Sequence, residues 1–190
     1  ASLCPGSDIT LCGVGINPTR AAVLEILNLM GANIEICGQH QESGEPLCDL
    51  RVRSQQLKGV DVPRSLVANA IDEFPAIAVA AASADGITRI RGAAELRFKE
   101  SDRINAMVQG LGKLGIKAIE YEDGMDIIGG RFRSGTIDSR GDHRIAMAFA
   151  VAGCCNSGSV VVNDCQNIAT SFPGFVETGC ALGMNLVEKL

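Results

Sequence analysis

The chain has no tryptophan, one tyrosine and two histidines, and aromatic residues make up only 4% of its length. A core without large rings has to be filled by small and branched aliphatic side chains, which suits helices packed closely against sheets. A basic excess is also missing. The formal net charge is -5, which argues against a nucleic-acid-binding face. It also means that any anionic ligand has to be held by locally concentrated positive charge. No CxxC pair occurs among Cys4, Cys12, Cys37, Cys48, Cys154, Cys155, Cys165 and Cys180, and only His40 and His143 stand beside them. A zinc site is therefore not expected. Most of these cysteines replace small hydrophobes inside apolar runs and read as reduced, buried thiols, which points to the cytoplasm. The longest apolar run, Ile145 to Cys155, is too short to cross a bilayer and reads as a buried helix.

What is present is an apolar share of 46% and a charged share of 21%, in 190 residues that fit one domain, 1–190. A repeat organises it. Ser7-Asp8-Ile9-Thr10-Leu11-Cys12-Gly13 leads through Asn17-Pro18-Thr19-Arg20 into a helix closing at Leu29-Met30-Gly31. Gly86-Ile87-Thr88-Arg89-Ile90-Arg91-Gly92 opens a second copy that closes at Lys113-Leu114-Gly115, and Gly158 to Asp164 opens a third. The period of roughly 70 to 80 residues suits a few copies of one supersecondary unit rather than a simple solenoid.

Within a unit, the alternating segment predicts a strand and the next stretch an amphipathic helix. In the second copy Ile104, Met107, Val108, Leu111 and Leu114 fall at helical spacing, with Ser101 as the expected N-cap and Gly115 as the stop. In the first copy Pro18 fits the first helical turn and Gly31 the stop. Hairpins are expected between 34–37 and 50–53, and between 117–121 and 125–128. Each unit closes with a helix apolar all round, Pro75 to Ala84 and Ile145 to Cys155, so these helices are central. Ala1 to Gly6 matches the tail of such a helix (compare Ala81 to Gly86), and the segment from Ala181 to Leu190 ends in one strand. The expectation is an incomplete first helix, an unpaired last strand, and a fragment or single domain of a larger protein.

Three polar knots stand at helix entrances: Ile71-Asp72-Glu73-Phe74-Pro75, Glu95 to Arg103, and Gly141-Asp142-His143-Arg144. Lys99 and Arg103 lie four apart, where side chains share a face, and free N–H groups of a first turn add partial positive charge. An anion can dock there, with Glu100 as proton donor or acceptor. A capped helix start with solvated ion pairs fits the same residues. Arg144 near a helix N-terminus is unfavourable unless an anion bridges them; an Asp142 cap paired with Arg144 is the alternative. Asp72 is either a cap or a carboxylate with a lowered pKa that receives a substrate hydroxyl. His143 alone reads as a structural imidazole.

Together, Leu96-Arg97-Phe98-Lys99-Glu100-Ser101-Asp102-Arg103, Asp142-His143-Arg144-Ile145-Ala146-Met147, Ala169-Thr170-Ser171-Phe172-Pro173, Asn17-Pro18-Thr19-Arg20 and Ile71-Asp72-Glu73-Phe74-Pro75 resemble the 5-enolpyruvylshikimate-3-phosphate synthase family over essentially the whole chain. The match is to the C-terminal domain, about half of a full-length member. The resemblance implies an α/β (α+β) fold of repeated βαβαββ units around buried helices, one domain of an enolpyruvyl-transferase-type inside-out α/β barrel. It implies transfer of the enolpyruvyl group of phosphoenolpyruvate to the 5-hydroxyl of shikimate 3-phosphate, with no metal or other cofactor and no membrane or nucleic-acid partner. The remaining partner is the missing N-terminal domain, without which the fragment is expected to be inactive.

Carried over by motif, Asp72 contacts the attacking hydroxyl as base or orienter, Lys99 sits near that hydroxyl and the bridging oxygen, and Glu100 passes the proton at the methylene carbon. Arg103 and Arg144 clamp the carboxylate and phosphate of phosphoenolpyruvate, with His143 beside Arg144. One departure is that no Lys occurs between Lys117 and Lys189, where many members place another phosphoenolpyruvate contact. This resembles the branch often associated with glyphosate tolerance. Two rivals remain: a domain of the sister enolpyruvyl transferase acting on UDP-N-acetylglucosamine, and a non-catalytic half-site binding domain.

Overall fold

A computed structural model describes residues 1–155 and 158–188. Alternating side chains from Asp8 onward form β1 (Asp8–Gly15), followed by α1 (Ala22–Leu29) and the hairpin β2 (Asn33–Glu42) and β3 (Glu45–Arg53). Ile34 pairs with Val52 and Ile36 with Leu50, as the alternation requires, and the sheet order is β1-β3-β2. Cys48, Leu50 and Val52 are buried on one face of the central strand, the period of two expected of a half-buried strand.

The chain continues through α2 (Arg64–Val67) and a 3-10 helix (Ala68–Glu73) directly into α3 (Phe74–Ala82). Next come β4 (Ile87–Ile90), a second 3-10 helix (Ala94–Phe98), α4 (Arg103–Lys113) and the hairpin β5 (Lys117–Tyr121) and β6 (Gly124–Ile128). Their sheet order, β4-β6-β5, repeats that of the first unit. The last part holds β7 (Gly135–Asp138), α5 (His143–Cys154), β8 (Val160–Asn163), α6 (Ile168–Ser171) and α7 (Phe175–Ala181).

The two apolar helices are crossover connections. Lys58 bridges Asp85 and Asp61 bridges Arg89 in parallel on either side of α3, and β7 pairs in parallel with β8 on either side of α5. Parallel neighbours need such a crossover. The unit therefore starts one strand earlier than the sequence pattern places it. In that frame the middle unit reads strand, α3, β4, α4, β5, β6, which is βαβαββ.

Phe74, Ile77, Ile104, Met107, Leu111 and Phe149 fill the space between α3, α4 and α5. The helical run Arg64–Ala82 is long and apolar enough to cross a membrane by length and composition. Its residues Phe74 to Ala82 are, Ala76 apart, packed inside the protein.

Several local expectations need correction. The N-cap of α4 is Asp102, whose carboxylate accepts from Asn105 N at 3.0 Å; Ser101 instead donates to Asp142 at 3.0 Å. Pro18 lies in a turn before α1, closed by Arg20 N and Ala21 N donating to Asn17 O. Gly31 and Gly115 do end their helices, at φ of +84° and +81°, backbone angles that a side chain disfavours. Ala1 to Gly6 is a bend and turn with no helix, and residues 184–188 form no strand; without a neighbouring strand, no ladder hydrogen bonds are available to that segment. The strand end expected at Leu190 lies outside the described residues.

All eight cysteines are free, but only Cys48 is buried, while Cys12, Cys37 and Cys180 are exposed. Cys12 and Cys37 lie on the two outer strands of the first sheet, next to Leu11 and Ile36, which pair with the buried Leu50; alternation turns the cysteines to the opposite face, where Cys37 pairs with Asp49. Burial, with Cys4 beside it, pushes the Cys155 thiol up to about 12.

Gly110 of α4 lies beneath the Phe149 ring of α5, and a Cβ at this position would overlap the ring. Gly110→Ala is expected to lower stability by about 1 to 2 kcal/mol, because overpacking outweighs the ~1 kcal/mol that alanine gains in helix propensity. Urea unfolding of the chain checks this; an unchanged or higher midpoint would contradict the packing.

Candidate active site

The three polar knots meet. Asp72 and Glu73 end the 3-10 helix and stand at the mouth of α3, whose first buried residues, Phe74 and Pro75, anchor them from below. Arg103 opens α4 and Arg144 lies in the first turn of α5. Asp142 links the last two. Its Oδ1 accepts from Arg144 N at 2.9 Å and caps α5, while its Oδ2 accepts from Arg103 Nε at 2.8 Å and Ser101 Oγ at 3.0 Å. The preceding turn has Arg140 at φ +56° and Gly141 at φ +69°. It is held by Arg140 N on Asp138 Oδ1 and by Arg140 Nη2 on Asn105 Oδ1 of α4, both at 2.9 Å.

Asp72 is the hub. Its Oδ1 faces Arg103 Nη1 at 3.4 Å and Lys99 Nζ at 3.6 Å; its Oδ2 faces Arg144 Nη2 at 3.7 Å and Arg20 Nη2 at 3.9 Å. Arg144 Nη1 also donates to Asp72 O at 2.9 Å and lies 3.5 Å from Glu73 Oε1. Lys99 Nζ binds Glu95 at 2.6 Å, and Arg103 Nη2 binds Glu100 at 2.5 Å.

These charges set the protonation of the site. Burial alone pushes Asp72 up, but Arg144, Lys99 and Arg103 more than offset it and hold the carboxyl below its usual range. Asp142 follows the same pattern: burial raises it, and the hydrogen bond and charge of Arg103 bring it below normal. The Glu95 hydrogen bond is the first cause that raises Lys99, ahead of opposing desolvation. The site is a set of fixed cations balanced by ionised carboxylates.

All the residues singled out in the sequence are in this region, with two changes. Arg103 is 1% exposed, so its guanidinium lies behind the carboxylates rather than on the open face expected of an anion clamp. Asp142 pairs with Arg103 and not with the Arg144 side chain, which reaches Asp72 and Glu73 at the end of the 3-10 helix instead. His143 is half-buried at the first position of α5. Arg20 and Glu73 join the cluster without having been assigned a role; the signal available for Arg20 was its place at the mouth of the first unit's helix, matching Arg103 in the second. Among the described residues no group of three or more His, Cys, Asp or Glu is arranged to hold a metal ion.

Asp142→Asn keeps a capping side chain but leaves Arg103 without its buried counter-charge. The expected loss at pH 7 is about 3 kcal/mol, at the low end for a broken buried pair because Asp72 and Glu100 still face the guanidinium. The folded carboxyl titrates below the unfolded one, so its contribution is complete above the unfolded value of about 3.9 and disappears as pH falls through the lower folded value. Urea unfolding of both proteins from pH 7 to pH 2 should show the gap closing only at the acid end. A gap that does not narrow as the pH falls below about 3.9 would assign the loss to something other than the charge.

Comparison with known proteins identifies the family. Residues 1–178 match the family model described as EPSP synthase (3-phosphoshikimate 1-carboxyvinyltransferase). A curated 3-phosphoshikimate 1-carboxyvinyltransferase of Legionella pneumophila (strain Corby) is 53% identical over 188 residues, 99% of this chain and 43% of the relative. An EPSP synthase structure from Acinetobacter baumannii superposes with a TM-score of 0.94 at 45% identity, over 97% of this chain and 43% of that one. The enolpyruvyl transferase NikO from Streptomyces tendae, at a TM-score of 0.65 and 20% identity over 95% of this chain and 40% of its own, shares the fold. The chain thus spans less than half the length of these relatives, and over the part it spans it belongs to the EPSP synthase family.

Proposed function

We propose that the chain is the C-terminal half of a two-domain enolpyruvyl transferase that joins phosphoenolpyruvate to the 5-hydroxyl of shikimate 3-phosphate and releases phosphate. The observation that carries this is the convergence of Lys99, Arg103 and Arg144 on the single carboxylate of Asp72, in a chain whose net charge is -5. Two multiply anionic substrates need such a local concentration of cations. The names of the relatives supply the substrates. The free thiols support a reducing, cytoplasmic setting.

The chemistry distributes over the cluster as follows. The hydroxyl oxygen adds to C2 of phosphoenolpyruvate while its own proton passes to an oxygen of the phosphate group and a proton arrives at C3, giving a tetrahedral adduct. The C2–O bond to phosphate then breaks, and a proton leaves the C3 methyl group. Glu100, half exposed at 50% of its side chain, is the group that gives and retakes the C3 proton. Asp72 is held ionised and below the usual carboxylate range, which suits accepting a hydrogen bond from the hydroxyl and orienting it more than storing its proton. Lys99, kept charged by Glu95, stabilises the developing negative charge on that oxygen. Arg144 grips an anionic group of phosphoenolpyruvate directly. Arg103 acts from behind, as a fixed positive field reached when Glu100 shifts. His143 stands beside Arg144 in the first turn of α5.

Arg20, Glu95 and Glu100 leave 64%, 67% and 50% of their side chains exposed, which fits one wall of a cleft whose other wall is the N-terminal domain. The purified chain is therefore expected to fold yet give no enolpyruvyl transfer; steady phosphate release by the chain alone, with both substrates, would contradict the two-wall reading. In the full-length protein, Glu100→Gln retains shape but not the acid. It is expected to lower kcat by about 10²–10⁴, with the melting temperature unchanged within a few degrees. A kcat close to that of the unaltered enzyme would remove Glu100 from its role. Assay with UDP-N-acetylglucosamine in place of shikimate 3-phosphate should give no product.

A further inference from the structure

For Arg144 to grip an anion, it must first let go. Its side-chain polar contacts among the described residues are to the end of the 3-10 helix that leads into α3: Asp72 O at 2.9 Å, Asp72 Oδ2 at 3.7 Å and Glu73 Oε1 at 3.5 Å. Lys99 and Arg103 face Asp72 Oδ1, so withdrawing the guanidinium would uncover Glu73 and the Oδ2 side of Asp72, which is costly unless another cation covers them. Such a cation is in place. Arg20 Nη2 lies 3.9 Å from Asp72 Oδ2 and 3.5 Å from Glu73 Oε1, the same two oxygens that Arg144 faces.

The loop that carries Arg20 is firmly shaped. Asn17 Oδ1 accepts from Thr19 N and Thr19 Oγ1, Arg20 N and Ala21 N donate to Asn17 O, and Asn69 Nδ2, just ahead of Asp72, donates to Pro18 O. The guanidinium itself is looser. The Arg20 side chain is 64% exposed, against 30% for Arg144, and its contacts of 3.5 and 3.9 Å have room to shorten toward the ~2.8 Å of a good charged hydrogen bond.

We infer that Arg20 is a positioning residue for the anion site: it covers Asp72 and Glu73 when Arg144 turns to a bound phosphate or carboxylate. This rests on the reading of the cluster as an anion site. Arg20 does not touch the anion in this scheme; it acts by lowering the cost of releasing Arg144.

The decisive measurement is a mutant cycle in the full-length protein, read by calorimetric titration with inorganic phosphate. Arg20→Ala is expected to weaken phosphate binding about three- to fivefold, the size of one exposed ion pair, and Arg20→Lys to keep most of the affinity. Glu73→Gln removes one of the two groups that retain Arg144. In the Arg20→Ala background it should restore binding to within about twofold of the unaltered protein. A direct contact between Arg20 and the anion, or a purely structural role for the turn, predicts no such restoration. Failure of Glu73→Gln to restore binding, an unchanged affinity in Arg20→Ala, or absence of phosphate binding by the unaltered protein would each overturn the inference. Enolpyruvyl transfer assayed on the same protein reports separately: its absence, with the phosphate cycle intact, would reject the proposed reaction and leave the role of Arg20 standing.

Discussion

The buried pair between Arg103 and Asp142 holds the rest of the site in place. Both side chains are nearly inaccessible to water, at 1% and 0%, so each would carry a heavy desolvation cost alone. Geometry offsets that cost. Asp142 spends one oxygen on the free N–H groups of α5 and the other on Arg103 and Ser101. One carboxylate thus fixes the mouth of α5 to the mouth of α4, two helices brought together from positions about forty residues apart. The segment carrying Lys99 and Glu100 follows, because Arg97 ties it to the β5–β6 turn through Tyr121 O and Glu122 O while also binding Asp102, the cap of α4.

The same network explains how an acidic chain keeps four cations within reach of one carboxylate. Arg103 and Arg144 sit in first turns, where the helix dipole disfavours positive charge. Asp72, Glu73, Glu100 and Asp142 supply the negative charge that those turns require. An incoming anion competes with carboxylates already present, so affinity depends on how easily each cation exchanges partners. Lys99 and Arg144 are partly open to solvent and can exchange. Arg103, enclosed, contributes a standing field.

Much of the architecture was legible in the chain because it depends on local rules. Hairpin registers follow from a period of two, helix stops from Gly31 and Gly115, and the buried crossovers from runs without polar residues. The polar knots were legible too, since charges clustered before an apolar helix stand out. What the pattern could not convey was partnership. Ser101 and Asp102 are both good capping residues, and only the position of Asp142 decides that Ser101 turns away to serve it. Arg103 has the composition of a surface side chain; its burial comes from the packing of α4 against α3 and α5, which no local window contains. The cysteines misled for a similar reason, because Cys12 and Cys37 alternate with Leu11 and Ile36 and so face away from the buried side of their sheet, which their apolar neighbours do not reveal.

The repeat adds a final constraint on how the cluster is assembled. Arg20 and Arg103 stand at equivalent places, each at the start of the helix that follows the first sheet strand of its unit, and Arg144 and Asp72 stand at the mouths of the two crossover helices. Three of these four places carry a cation and one a carboxylate. An exchange of charge type at any of them would change the balance at a common point, because all four side chains meet at Asp72. Every helix mouth favours an acid on dipole grounds; at α3 that acid is Asp72, and it is also the one in contact with the other three. Asp72 is therefore placed where its ionised form is stabilised from every side, and a neutral replacement there would leave the surrounding guanidinium groups facing one another across an empty centre.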